Sequence, residues 1–269
     1  MVNAPSELFS LAGKVSIVVG SSRGLGRSIA EDSAALGASV VVTARKIEDA
    51  QAVCDAITAK GGKALAVTCE MSSKEDLENL VKATLDAFGR IDSVVANVAV
   101  NPGMGPITQR PDEDWDIVMA VNVKAVVQLA KLTLPEIANQ GGGSFTIISS
   151  NGALFGTLAA PVYSVSKTAE LGLVRQLAVE WGGRNVRINA VLPGLIQTDL
   201  TRPLWENEQL LKHFETTTPL GRMGQPCAIG GLAAFLATPA GAGHALVGAA
   251  PSLREHIVVP WDVVEGHVR

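Results

Sequence analysis

The stretch Lys14-Val15-Ser16-Ile17-Val18-Val19-Gly20-Ser21-Ser22-Arg23-Gly24-Leu25-Gly26 decides the fold class. Its first half is a β-branched run whose apolar character is near-continuous rather than alternating, as in a strand covered on both faces of a parallel sheet. Its second half is a glycine-rich turn, and residues 26–36 beyond it put Ile29, Ala30, Ser33 and Ala34 on one side of a helix. Glycine suits such a turn because the backbone adopts unusual angles and approaches a pyrophosphate closely, while the helix N-terminus supplies amide donors. The spacing is GxxxGxG, not the GxGxxG of the commonest dinucleotide fingerprint.

Outward from this stretch the same alternation recurs. Residues 38–43, 64–68, 93–96, 144–149 and 187–192 read as further strands; residues 47–60, 74–88, 115–134, 162–181 and 228–237 read as helices, the first of these closed by Gly61-Gly62. The order predicts an α/β fold: a doubly wound parallel sheet in a Rossmann-type single domain over residues 11–238. Residues 1–10 are expected to form a short N-terminal arm without the basic and apolar regions of a secretory signal. Residues 239–269 are an atypical C-terminal tail, Gly/Ala-rich at first, with 256–259 as the candidate last strand.

Composition narrows the function classes. Of 269 residues only 18% are charged and 47% are hydrophobic, with a net charge of −4, against roughly 25% charged residues in an average soluble domain. Covered helix faces and a homo-oligomer are therefore expected. No run of Lys and Arg suggests nucleic acid, and no stretch of about 18 apolar residues is free of charge, glycine or proline, so no membrane partner is expected. Cys54, Cys69 and Cys227 lie far apart and have neither disulfide-framework nor zinc spacing, so no metal is expected and the chain reads as cytoplasmic.

Two further constellations carry chemistry. At the end of the second strand stand Thr43-Ala44-Arg45-Lys46, with no acid before Glu48. An acidic residue there would bind the ribose hydroxyls of NAD, whereas arginine suits the 2′-phosphate of NADP through its planar fork. With Arg23 in the turn, NADP is expected and NAD is the alternative. The second constellation surrounds Tyr163, the single tyrosine of the chain. Lys167 follows it by four residues, one helical turn away on the same face, and Ser150 ends the strand before. A free phenol is a poor base at neutral pH, but a neighbouring ammonium favours the phenolate, and the protonated phenol is a donor to an oxygen that gains charge. Taken singly, such residues are an ordinary amphipathic face and an ordinary turn. At the carboxyl edge of a parallel sheet that already carries a nucleotide turn, they read as a site.

At these residues the sequence resembles the classical short-chain dehydrogenases/reductases over residues 11–236. The GxxxGxG turn, Asn122, the Ser150…Tyr163-x-x-x-Lys167 set and Pro193-Gly194 appear in the family's order. Asn101-Pro102, Asn122-Val123-Lys124-Ala125, Ser166-Lys167-Thr168-Ala169 and Pro193-Gly194-Leu195-Ile196 look most like its NADP-dependent carbonyl reductase branch. The resemblance implies a tetrad of Asn122, Ser150, Tyr163 and Lys167, with Lys167 also holding the nicotinamide ribose and Asn122 fixing a relay water. It implies that Gly20, Ser22, Arg23, Gly24, Leu25, Gly26 and Arg45 cradle the phosphates. Glu70 and Met71 would line the adenine, Asn97 and Val98 its ribose. Pro193, Gly194, Ile196 and Thr198 would close over the nicotinamide. Three positions depart from the family: Val19 for threonine, Asn97-Val98-Ala99 for Asn-Ala-Gly, which is expected to push the backbone away from the ribose, and Glu70-Met71 for Asp-Val.

The expected activity is NADP-dependent hydride transfer to or from a small carbonyl or secondary alcohol. Residues 100–107, 151–161 and 195–218 would shape the substrate pocket, and Leu154, Phe155, Leu158, Leu204 and Trp205 would make it fit a hydrophobic or cyclic ketone. An NAD-dependent alcohol dehydrogenase and a non-catalytic nucleotide-binding assembly protein are the rival readings. The helices at 115–134 and 162–181 are expected to build a dimer or tetramer.

Overall fold

The computed structural model describes residues 4–243. Six parallel strands form one sheet in the order β3-β2-β1-β4-β5-β6: β1 Val15–Val19, β2 Ser39–Ala44, β3 Lys63–Thr68, β4 Ser93–Ala96, β5 Gly143–Ile148 and β6 Val186–Val191. Between and beyond them run α1 Pro5–Leu8, α2 Gly24–Ala35, α3 Ile47–Ala59, α4 Lys74–Phe88, α5 Asp112–Val118, α6 Ala125–Asn139, α7 Pro161–Trp181, α8 Arg202–Trp205, α9 Glu208–Thr217 and α10 Pro226–Ala237. This is the doubly wound sheet expected from the alternation.

The continuous hydrophobicity of β1 has the predicted cause. Ile17 and Val19 join a core with α4, α6 and α7, whereas Val18 points to the opposite face and joins a core with α2, α3 and α10. Successive side chains face opposite ways, so both parities must be apolar when both faces are covered. Phe145 at the centre of β5 is fully buried, and burying such a side chain contributes about 1.5–3 kcal/mol. The strand order reverses between β1 and β4; at that point the loops after the two strands diverge and leave a crevice at the carboxyl edge.

Several boundaries differ from the sequence reading. The helix expected at 115–134 begins at Asp112, passes through a π turn at Met119–Lys124 and continues through Pro135 to Asn139. Residues 112–139 are apolar and long enough to cross a membrane by composition, but Val126, Leu129, Ala130, Leu134 and Ile137 are buried in the core. Of α8 and α9 the sequence offers only a solvated helix start at Glu206-Asn207-Glu208, where α9 begins. Glu208–Thr217 has no buried residue, although Leu210, Leu211 and Phe214 share one of its faces. The expected arm contains α1, and Phe9 behind it packs on Phe235 with ring centroids 5.9 Å apart. Cys54 and Cys69 are buried, but Cys227, expected to pack on its helix, is exposed. The candidate strand 256–259 lies outside the described residues.

Candidate active site

Three strand ends and two helices meet at the crevice. After β1, Gly20 takes a left-handed backbone (φ +67°), and the turn is tied sideways in three places. The Gly20 N–H donates to Thr43 Oγ1 (2.9 Å), the Asn97 side chain donates to the Gly20 carbonyl (3.1 Å), and buried Ser21 donates to the Val18 carbonyl while accepting from Thr43 N–H (3.0 Å). The start of α2 has no side-chain cap, so its first-turn amides stay available for an anion. Gly26 is packed against the turn so closely that a Cβ there would lie 2.2 Å from the Gly20 carbonyl oxygen. These residues fit a dinucleotide pyrophosphate.

Val98 stands against the glycine turn. Its Cγ2 lies where a Cβ on Gly20 would come within 2.6 Å, and it packs against the core. Arg45 and Lys46 stand exposed just past β2, with no carboxylate between Thr43 and Lys46. Arg23, expected to share the phosphate with Arg45, reaches Asp199 at 3.8 Å. Glu70 Oε1 accepts from the Ser72 hydroxyl (3.3 Å), and Met71 is buried in the core. Burial, aided by the charges of Asp76 and Glu70, pushes the nearby Cys69 thiol up to about 12, which leaves it unreactive.

On the other side of the crevice, Ser150 follows β5 and accepts the Gly152 N–H (3.0 Å). Tyr163 and Lys167 share one face of α7, with Lys167 Nζ 5.4 Å from the phenol ring centroid. Asn122 sits in the π turn, where its carboxamide accepts the Val100 N–H (2.8 Å), donates to the Val100 carbonyl (3.1 Å) and donates to Ser166 Oγ (2.9 Å). Ser166 in turn donates to the Tyr163 carbonyl (2.7 Å). Sequence reasoning passed over Ser166 and Ser21; their signal was a polar residue on an otherwise buried face.

Lys167 finds two partners within the chain. It is buried and donates to the Ile148 carbonyl (2.9 Å) and to Glu170 Oε1 (2.8 Å). Glu170 was not anticipated at all. The segment after β6 folds on itself: Ile196 is buried and bridges Gly224, Thr198 N–H donates to Thr201 Oγ1 (3.1 Å), and Trp205 Nε1 donates to the Thr198 carbonyl (3.0 Å). Pro193 is buried, and its carbonyl accepts the Asn151 N–H (2.9 Å).

A cavity of about 640 Å³ lies beside the site, lined by Ile107, residues 152–158, Pro161, Ser164, Val165 and Thr168. Leu154, Phe155 and Leu158 line it, and Leu204 and Trp205 do not. The α7 residues that line it are on a different helical face from Tyr163 and Lys167. Among the described residues no group of His, Cys, Asp and Glu could hold a metal ion.

Comparison with known proteins agrees with this geometry. Residues 19–245 match the family model described as enoyl-(acyl carrier protein) reductase. Dehydrogenase/reductase SDR family member 4 of Homo sapiens is 39% identical over 229 residues, 84% of this chain and 81% of that protein. The Sus scrofa protein of the same name is 38% identical over 226 residues, with the same two coverages. Among solved structures, a 7α-hydroxysteroid dehydrogenase complexed with NADH and 7-oxo glycochenodeoxycholic acid superposes with a TM-score of 0.88 at 32% identity, over 95% of this chain and 100% of that one. A 3-oxoacyl (acyl-carrier-protein) reductase from Agrobacterium tumefaciens C58 with NADP bound gives 0.86 at 26% identity, over 93% and 98%.

The chain belongs to the short-chain dehydrogenase/reductase family. It is an NAD(P)-dependent oxidoreductase acting on CH–OH and C=O groups.

Proposed function

We propose that the protein is an NADP-dependent carbonyl reductase of a small hydrophobic or cyclic ketone. The observation that carries this reading is the convergence at one sheet edge of an uncapped glycine-rich helix start, an exposed Arg45 with no acid beside it, and the Ser150, Tyr163 and Lys167 set. When bound, the nicotinamide supplies the hydride. Tyr163 Oη donates a proton to the substrate oxygen as that oxygen gains charge, and the O–H bond of the phenol breaks as the new one forms. Ser150 Oγ accepts the Gly152 N–H and donates to Asn151 Oδ1 only at 3.5 Å, a long contact that its hydrogen exchanges for the same substrate oxygen. The Lys167 ammonium stabilises the phenolate left behind. Asn122 and Ser166 lock the first turn of α7 against the loop at Val100, which fixes the phenol in position.

A ketone screen with NADPH, followed by loss of its absorbance, tests the activity; absence of turnover on every apolar ketone would overturn it. The cofactor preference is tested separately. Arg45→Ala is expected to weaken NADPH binding by roughly 1.5–3 kcal/mol, the scale of hydrogen bonds to a charged group, with little effect on NADH. Equal losses for both cofactors would remove Arg45 from 2′-phosphate recognition. Introducing aspartate at Ala44 is expected to favour NADH, because a carboxylate there repels the phosphate and accepts from ribose hydroxyls.

Exposed Ile117 on α5, and Val165 and Val179 on α7, support a homo-oligomer built on these two helices, a tetramer or dimer. Val179→Asp is expected to shift the mass measured by light scattering towards the monomer; unchanged mass would move the interface elsewhere. Three unpaired cysteines, two of them buried, support a reducing, cytoplasmic setting, which microscopy of the tagged chain would test.

A further inference from the structure

Glu170 is a buried carboxylate that the reaction as described does not use. It is 1% exposed, as is Lys167, and its Oε1 lies 2.8 Å from Lys167 Nζ. Its other oxygen, Oε2, has no hydrogen-bond partner. Such an arrangement costs desolvation of two ions and one unpaired acceptor, so it is a poor device for stability alone. Tyr163, Lys167 and Glu170 occupy one stripe of α7, with the lysine between the phenol and the carboxylate in sequence.

We propose that Glu170 is a positioning residue that draws the Lys167 ammonium towards itself, balances its charge, and so keeps Tyr163 as the protonated phenol that carbonyl reduction consumes. The inference rests on the reductase reading above and deepens it by giving the site a direction.

The electrostatics follow from the neighbours. Burial disfavours the Lys167 charge, but the Glu170 charge and hydrogen bond offset this and hold the lysine above its ordinary value. Burial pushes the Glu170 carboxyl up, against the opposing effect of Lys167. Other charged groups on the elements packed against α7 are turned away or engaged. Asp112, Glu113 and Asp116 of α5, Lys124 of the π turn and Lys131 of α6 are exposed, and Glu136 of α6 is partly so. Asp114 pairs with Arg110, Arg184 lies over Trp181, and Arg187 of β6 donates to carbonyls at the end of α10. Towards the pair itself, β5 presents the Ile148 carbonyl and the Ser149 hydroxyl, the latter donating to the Lys167 carbonyl (3.1 Å). An unbalanced ammonium beside Tyr163 favours phenolate; a carboxylate on that ammonium weakens the effect.

The experiment titrates Tyr163 in the saturated NADP⁺ complex of wild type, Glu170→Asp and Glu170→Gln. Because Tyr163 is the only tyrosine, the tyrosinate absorbance change reports this one group. Glu170→Gln is expected to lower the titration midpoint by about one pH unit or more, and to move the alkaline loss of ketone reduction down equally. Glu170→Asp, which keeps the charge, is expected to stay closer to wild type than the glutamine variant. A midpoint in Glu170→Gln that is unchanged or higher overturns the proposal: the first would mean the carboxyl carries no charge, the second that its removal discharges the lysine. If the glutamine variant does not fold, Glu170→Leu, which leaves no polar atom unpaired, is read by the same criterion. A wild-type protein without ketone turnover would defeat the reductase reading, whereas normal turnover with coincident midpoints would defeat this inference alone.

Discussion

Tyr163→Phe is expected to lower ketone turnover by roughly 10²–10⁴-fold, the usual worth of a positioned acid, while leaving NADPH affinity nearly unchanged. The argument is one of minimal perturbation. Phenylalanine keeps the ring that sits 5.4 Å from Lys167 Nζ and removes only the oxygen. Nothing in the Asn122, Ser166 and Tyr163 carbonyl relay depends on that oxygen, since Ser166 donates to the backbone. The loss should therefore appear in kcat, with the cofactor dissociation constant from fluorescence titration preserved. Residual turnover above about a tenth of wild type would remove Tyr163 from the proton-donor role.

Gly26→Ala is expected to abolish measurable NADPH binding and to destabilise the protein by about 1–3 kcal/mol or more. A Cβ at this position would stand 2.2 Å from the Gly20 carbonyl oxygen, 2.6 Å from Asn97 Nδ2 and 2.9 Å from the Gly20 carbonyl carbon. Two of those three atoms are backbone, pinned by the Thr43 and Asn97 bonds, so the turn must open and the first amides of α2 must lose their aim. Gly24→Ala is the informative contrast. There the strain is conformational, from φ +55°, and an added Cβ meets only Thr198 side-chain atoms at ordinary contact distance, so the cost should be nearer 1 kcal/mol. Thermal unfolding of both variants with and without NADPH separates the two effects. Wild-type stabilisation by NADPH in Gly26→Ala would show that this turn is not the phosphate cradle.

The layout of the sheet was legible because burial on both faces writes itself into sequence: Ile17–Val19 and Val40, Val41 and Val42 are apolar at every position. The Tyr163 and Lys167 pair was legible from spacing, since an α-helix brings positions four apart onto one face. Exposed helices were harder. Arg202–Trp205 and Glu208–Thr217 contain no fully buried residue, and of the two only the start of the latter, at the Asn207 cap, shows in the sequence, as the polar Glu206-Asn207-Glu208. Glu170 escaped notice for another reason. A glutamate on a helix ordinarily means solvent, and its burial here follows from a partner three residues away whose own burial is set by β5. Arg23 adds a contact that could not be read locally: its type suits phosphate, and it also reaches Asp199, far along the chain in a loop whose path no local pattern encodes.

The π turn at Met119–Lys124 has a consequence for the helix that carries it. Each residue of an α-helix advances the face by about 100°, so a wide turn acts as a phase shift, rotating everything after it relative to everything before. Here Val118 on one side and Val126 and Leu129 on the other all reach the interior, while Asn122, within the shift, is directed at Ser166 and the Val100 loop. Deleting Ala120 would restore an uninterrupted α-helical ladder and swing the upstream turns by that angle, exposing Val118 or dislodging Asn122. The supernumerary residue therefore lets a single helix serve two masters out of step with each other, an apolar stripe set by the sheet beneath it and a carboxamide set by the crevice at its side.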